Sequence, residues 1–173
     1  MNKTINLANK AMSLYIIGQI KNKDYVPFDL KITNSHITQL NNLVGKKIFK
    51  KDSLYIDSHS LWEIMQPIGH EGTHHFHDLS AEDVYIALCS IKDPYSVLDA
   101  SNMDNTKTRC SIITVQLSHF KEPFMIVVEV DADLRGVIDA KINKVVTIYP
   151  KSDYETYINN YDISRVLYLK NKK

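Results

Sequence analysis

Alternation of apolar and polar residues dominates the second half of the chain and predicts a series of β-strands. The alternating segments are bounded by turn-forming residues. They are residues 95–100, 109–118, 123–131, 143–149 and 164–170. Residues 124–130 are apolar apart from Glu129, a composition typical of a central strand that is covered on at least one face. These consecutive strands, with one small helix before the last, predict an antiparallel meander.

Three helix starts are predicted by a serine that is followed three residues later by an acidic residue. In this pattern the hydroxyl and the carboxylate bond to N–H groups of the first helical turn. The pairs are Ser60 with Glu63, Ser80 with Asp83, and Ser152 with Glu155. A first part with helices and a second part with consecutive strands predicts the α+β class. We expect helices packed on a mostly antiparallel sheet of four to five strands.

The first 50 residues are predicted to elaborate the same domain, whose core is residues 51–173. Residues 24–33 alternate and contain Pro27, which cannot donate to a strand ladder, so they predict an edge strand. Residues 36–45 predict a short helix that ends at Gly45, and residues 47–57 predict two brief strands.

An apolar stretch at residues 11–20 is interrupted by Ser13, Gly18 and Gln19, and no small-residue cleavage pattern follows it. It therefore predicts a helix or strand of the folded protein instead of a secretion signal or a membrane span. We expect a protein that folds in the cytoplasm and has no membrane partner.

The composition, with 44% hydrophobic and 24% charged residues, is that of a globular protein. The net charge of +1 creates no strong overall field, so contact with a nucleic acid would depend on local groups of Lys and Arg. Cys89 and Cys110 are too few for a disulfide framework or a cysteine zinc site. We expect both to be small buried side chains.

The segment "GHEGTHHFHD" at residues 69–78 holds four of the seven histidines, immediately before the helix start at Ser80. They are His70, His74, His75 and His77. Imidazole titrates near neutral pH, so it serves as a general acid or base and as a metal ligand. Two glycines and a threonine disfavour a helix here, and no known zinc spacing is present. Proton transfer, a metal site and a solvated polar loop are the three interpretations of this segment.

Two further motifs favour proton transfer at a phosphodiester. Lys107 and Arg109 begin a predicted strand, at a position common for cations that bind phosphate. A period of two in "KVVTIYPK" predicts that Val145, Thr147 and Tyr149 share one face. The hydroxyls of Thr147 and Tyr149, next to cations and a histidine, would suit the binding of a phosphodiester. The alternative is that Thr147 and Tyr149 are a pair of β-forming residues on a half-buried sheet.

The order of these motifs resembles the phage-associated nucleases of the barnase, EndoU, colicin and RelE-like (BECR) fold group, over roughly residues 55–170. The resemblance implies RNA cleavage without a metal, in which the ribose 2′-OH attacks the adjacent phosphorus and leaves a cyclic phosphate. Carried over by position, it implies three sets of catalytic residues. They are one of His74, His75 and His77, then Lys107 and Arg109, then Thr147 and Tyr149. His59 is a further candidate.

We assign substrate binding to Lys107, Arg109 and Lys151, and we expect neither a cofactor nor a metal. The expected partners are RNA, with tRNA as one candidate, and an inhibitor or immunity protein, because nucleases of this kind act as toxins or phage effectors. A non-enzymatic adaptor that binds protein or RNA is the alternative. A zinc-dependent hydrolase that uses the histidines is the third possibility.

Overall fold

The computed structural model describes residues 27–30, 34–51, 54–66, 76–102, 106–134 and 137–170. Within these ranges, seven strands form one sheet in the order β1-β2-β6-β5-β4-β3-β7. The strands are β1 (Pro27–Leu30), β2 (Leu54–Asp57), β3 (Pro94–Asp99), β4 (Arg109–Leu117), β5 (Pro123–Asp133), β6 (Lys141–Pro150) and β7 (Val166–Leu169). The helices are α1 (Asn34–Val44), α2 (Ser58–Met65), α3 (Ala81–Ser90), α4 (Tyr154–Asn159) and a 3₁₀ helix (Ile163–Arg165).

The predicted α+β class is confirmed, and the five alternating segments coincide with β3 to β7. The described sheet has more strands than the expected four to five, because β1 and β2 from the first part of the chain join it. β2 pairs with β6 in parallel, and the other neighbouring strands pair antiparallel. The sheet is therefore mostly antiparallel, as predicted.

The region before β2 differs in part from the prediction. β1 lies at the edge of the sheet, where Pro27 is tolerated, and α1 ends before Gly45, which has φ 72°. Residues 46–50 form no strand, although two brief strands were predicted between residues 47 and 57. The side chain of Asn41 instead bonds both backbone groups of Phe49, at 3.0 and 3.1 Å, and so holds this segment against α1.

Two apolar clusters lie on opposite faces of the sheet. In the main core, α1, α2 and α3 pack on one face, against side chains such as Ile112 and Ile126. In the second core, the neighbouring residues Ile113 and Met125 face the other way and contact Ile158 of α4. Adjacent strand residues point to opposite faces, so both faces of the central strands are covered.

The helix starts were predicted correctly in one case of three. Ser80 and Asp83 form the predicted capping box of α3. α2 begins before Ser60, because Asp57 caps it and accepts a hydrogen bond from the Ser60 N–H at 2.8 Å. α4 has Asp153 at its N-cap and no side-chain cap, since that carboxylate pairs with Lys151 at 2.8 Å.

Among the described residues, no helix is long and apolar enough to cross a membrane. Residues 11–20, on which the expectation about signals and membrane spans depended, lie outside the described residues.

Candidate active site

One end of the sheet brings together chain segments that are distant in the sequence. β4 ends at Leu117 and β5 begins at Pro123, while β6, antiparallel to β5, ends opposite the start of β5. The Lys151 N–H donates to the Pro123 carbonyl at 2.8 Å and fixes this arrangement. We call this region, made of residues 118–122 and 149–151, the hairpin end.

The segment that leads into α3 places His77 at the hairpin end. Phe76 is buried and meets the Trp62 ring edge-on, with 5.1 Å between ring centroids. The backbone N–H groups of the two residues that follow His77 donate to carbonyls at the end of α2, at 2.8 and 3.1 Å. His77 itself is half-buried, and its ring centroid lies 5.3 Å from that of Tyr149. The structure therefore brings together one histidine and one hydroxyl residue of the predicted site.

Tyr149 lies opposite Met125, on the face of the sheet that carries the second core. Burial, with smaller contributions from Tyr157 and Asp153, raises the pKa of the Tyr149 phenol. The phenol is therefore protonated at neutral pH and can donate a hydrogen bond. Two residues along, Lys151 places Nζ 4.5 Å from the centroid of the Tyr157 ring and 2.8 Å from Asp153. The hairpin end thus contains an imidazole, a phenol and an ammonium group.

Thr147 and Tyr149 share one face, but Val145 does not share it with them. The β5–β6 register shifts between Val127, which is opposite Thr147, and Val128, which is opposite Val145. This irregularity turns Val145 into the main core beside Ile148. The predicted grouping of Val145 with the two hydroxyl residues is therefore wrong, because a strict period of two does not continue through a bulge.

Lys107 and Arg109 lie toward the opposite end of the sheet. Arg109 stands opposite Glu129, whose carboxylate is 3.4 Å from the Arg109 guanidinium and 3.7 Å from Lys107. Arg109 on β4 and Tyr149 on β6 lie on either side of β5, and their partners on β5 are four residues apart. Roughly 16 Å therefore separates their Cα atoms. The structure places these cations on the same face as Thr147 and Tyr149 but does not bring them to His77.

The remaining predicted histidines divide into two groups. His70, His74 and His75 lie outside the described residues. His59 lies on α2 and pairs with Glu63 one turn along, at 3.3 Å. In the part of the chain that the structure describes, no three His, Cys, Asp or Glu side chains are grouped to hold a metal ion.

A histidine that the sequence interpretation missed, His119, lies in the turn between β4 and β5. Its Nδ1 is 2.5 Å from Oδ2 of Asp83, and its backbone N–H donates to Oδ1 of the same carboxylate at 3.0 Å. Asp83 also belongs to the capping box of α3. One carboxylate therefore anchors the turn of the hairpin end to the first turn of the helix that follows His77.

The environment of Asp83 keeps its carboxylate ionised. The side chain is only 6% exposed, and burial alone would raise its pKa. Hydrogen bonds from His119 and Ser80 outweigh the burial, so the pKa of Asp83 lies below its ordinary value. A buried carboxylate that holds Nδ1 of a partly exposed imidazole is the orienting arrangement found in hydrolase triads.

Comparisons with protein-family models, with curated proteins and with solved structures found no match to this chain.

Proposed function

We propose that the protein is an endoribonuclease that cleaves RNA without a metal, through attack of the ribose 2′-OH on the adjacent phosphorus. The observation that carries the proposal is the contact between His77 and Tyr149 at the hairpin end, with Lys151 beside it. This chemistry needs a group that moves a proton, a hydrogen-bond donor for a phosphate oxygen and a cation. These three residues supply one group of each kind.

The roles follow from the chemistry of each side chain. His77 transfers a proton, and the protonated phenol of Tyr149 donates to a non-bridging phosphate oxygen. Thr147, on the same face, adds a second hydroxyl, and Lys151 stabilises the negative charge of the phosphorane. Lys107 and Arg109 contact phosphates further along the strand of RNA, because they lie on the same face but at a distance.

A toxin or phage effector that is held in check by an inhibitor or immunity protein would suit such an activity. We propose tRNA as the first substrate to examine, because its loops offer single-stranded phosphodiesters to a site at the end of a sheet.

The test is incubation of the chain with tRNA and rRNA in chelator between pH 5 and pH 8, followed by mapping of the RNA ends. We expect discrete cuts that leave 2′,3′-cyclic phosphates and 5′-hydroxyls. His77→Ala should lower the rate by about 10²- to 10⁴-fold, the usual contribution of a general acid or base. Tyr149→Phe should lower it less, and Tyr168→Phe, a change on β7 in contact with the main core, is the matched control.

Intact RNA at every pH would contradict the proposal. His74→Ala and His75→Ala belong in the same series, since the sequence does not choose among the three histidines. If all three alanine variants cleave at the wild-type rate, the proposed role of this segment is wrong.

A non-enzymatic adaptor is the second candidate, because apolar side chains are exposed around the turn of the β4–β5 hairpin. Val115, Leu117 and Phe120 are 41, 48 and 38% exposed. Exposed apolar residues that lie close together mark protein interaction sites. A chain that binds a protein partner, loses that binding when Leu117 is changed to Ser, and leaves RNA intact would favour this function.

A further inference from the structure

The proposed reaction needs two proton transfers. A base removes the proton of the 2′-OH while the new bond from O2′ to phosphorus forms, and an acid protonates O5′ while the bond from phosphorus to O5′ breaks. His77 can carry out one of these transfers. A second titratable group near the hairpin end is therefore needed.

We propose that His119 is this second group, with Nε2 as the base that takes the 2′-OH proton while protonated His77 supplies the proton to O5′. The inference rests on the proposed ribonuclease function. Asp83 is a positioning residue that acts through His119.

The hydrogen bonds to Asp83 fix the state of the His119 ring. Asp83 is ionised and accepts at 2.5 Å from Nδ1, so the Nδ1 position carries a proton. In the neutral ring, Nε2 then holds the lone pair that a general base needs. The His119 side chain is 47% exposed, whereas that of Asp83 is 6% exposed, so the ring is held on a buried anchor and is accessible to a substrate.

The position of the ring is fixed as well as its tautomer. The backbone N–H of His119 and its ring bond to the two oxygens of one carboxylate, and the Phe120 ring packs 3.8 Å from the imidazole, centroid to centroid. Asp83 is itself held by Ser80, whose Oγ donates at 2.8 Å and whose backbone N–H donates at 3.1 Å. Among the described residues, Asp83 is the charged group that bonds to His119. A base held in this way needs little reorganisation before reaction.

The two histidines reach the hairpin end from different segments. His77 precedes the capping box of α3 by three residues and contacts Tyr149 at the end of β6. His119 lies in the turn that joins β4 to β5, and Asp83 ties that turn to the first turn of α3. Asp83 therefore ties the turn that carries His119 to the helix that directly follows the segment of His77.

A purely structural role for His119, as a link between the turn and α3, predicts different behaviour from a catalytic role. Asparagine can donate from its amide to Asp83 where Nδ1 does, but it has no group equivalent to Nε2. His119→Asn therefore keeps the link and removes the base. His119→Ala removes both, and added imidazole can replace only the base.

The experiment measures tRNA cleavage in chelator for the wild-type chain, His77→Ala, His119→Asn, His119→Ala with and without imidazole, and Asp83→Asn. His36→Asn, a change on α1, is the control. We expect His119→Asn to lower kcat by at least about 100-fold with an unchanged melting temperature, and imidazole to restore part of the activity of His119→Ala. Asp83→Asn should lower kcat with little change in KM, whereas the control should match the wild type.

The outcomes separate this inference from the proposed function. If His77→Ala abolishes cleavage but His119→Asn and His119→Ala cleave like the wild type, the inference about His119 is wrong and the ribonuclease proposal stands. If His119→Asn unfolds, the imidazole experiment decides, and absence of rescue in folded His119→Ala overturns the inference. If the wild-type chain cleaves no RNA, both proposals fail.

Discussion

Glu129 lies directly across the β4–β5 ladder from Arg109, and one of its carboxylate oxygens is 3.4 Å from the guanidinium. The same oxygen is 3.7 Å from Nζ of Lys107. One carboxylate therefore offsets the charge of two cations that are proposed to bind RNA phosphates. The Glu129 side chain is 18% exposed, which shields these pairs from solvent more than a surface ion pair would be shielded.

The change Glu129→Gln should increase the affinity for RNA by about 3- to 10-fold at low salt, because it releases Lys107 and Arg109 for phosphates. The logarithm of the affinity should also fall more steeply with the logarithm of the salt concentration. Filter binding or fluorescence anisotropy over a salt series measures both effects. The control Glu155→Gln on α4 changes the net charge by the same amount and should leave the salt dependence of the affinity unchanged. Equal salt dependence for the wild type and both variants would contradict the prediction.

Asp57 should contribute to stability through two separate bonds. Its carboxylate caps α2 and also pairs with Lys144 at 2.6 Å. We expect Asp57→Ala to lower the free energy of unfolding at pH 7 by about 2–3 kcal/mol, since it removes a cap and a largely buried ion pair. Asp57→Asn keeps a capping oxygen and should lose about 1 kcal/mol less. Urea unfolding of both variants, with Lys144→Met for comparison, measures these differences.

The stabilising effect of Asp57 should also depend on pH. Burial raises its pKa, but hydrogen bonds from Lys144 and Ser60 outweigh the burial and leave the pKa below the ordinary value of 3.8. Its contribution is therefore fully present above pH 3.8 and is lost as the pH falls through the lower pKa of the folded state. The wild type and Asp57→Asn should thus converge in stability in acid, and a constant difference between them would contradict this assignment.

His36 should make the protein less stable in mild acid. Burial lowers the pKa of His36 below its ordinary value of 6.5, and the charge of Lys92 lowers it further. Below about pH 6.5 the unfolded chain therefore binds a proton at His36 more readily than the folded chain does. The free energy of unfolding then decreases as the pH is lowered below that value. Urea unfolding at pH 7.5 and pH 5.5 should show a smaller loss for His36→Asn than for the wild type. An equal loss would mean that other groups cause the pH dependence.

The two cysteines should differ in reactivity. Both are free thiols, and Cys110 is fully buried, which raises the pKa of its thiol to about 12. Cys89 is only half-buried, so the expectation that both would be buried holds for Cys110 alone. A disulfide reagent at pH 8 should modify Cys89 in the folded protein and Cys110 only after unfolding. Mass spectrometry of the modified peptides measures this, and fast labelling of Cys110 under native conditions would contradict it.

The predictions from sequence succeeded where the determining residues are close together in the chain. Ser80 and Asp83 are three residues apart, and the alternation in β3 to β7 is a local signal, so the α3 start and five strands could be recognised. The start of α2 was misplaced because Asp57 competes with Ser60 as the cap, and its pairing with Lys144 of β6 cannot be seen locally. The bulge between Val145 and Thr147 also left no mark in the pattern of residues.

His119 shows the same limit for the candidate site. Its partner Asp83 is 36 residues earlier, and a single histidine in a turn between two strands carries no local signal of function. The histidine-rich segment at residues 69–78 carries a stronger local signal, so the sequence favoured His74, His75 and His77 instead. Only the packing of α3 against the β4–β5 turn reveals the pair.

The parallel pairing of β2 with β6 has a consequence for the order of folding. Leu54 pairs with Asn143, about 90 residues further along the chain, whereas the β4–β5 hairpin closes through local contacts. During synthesis, β1 and β2 leave the ribosome long before the strand that receives them. We expect the pair of strands β1 and β2 to remain exposed to chaperones until β6 has emerged. The sheet should then form from its central strands outward.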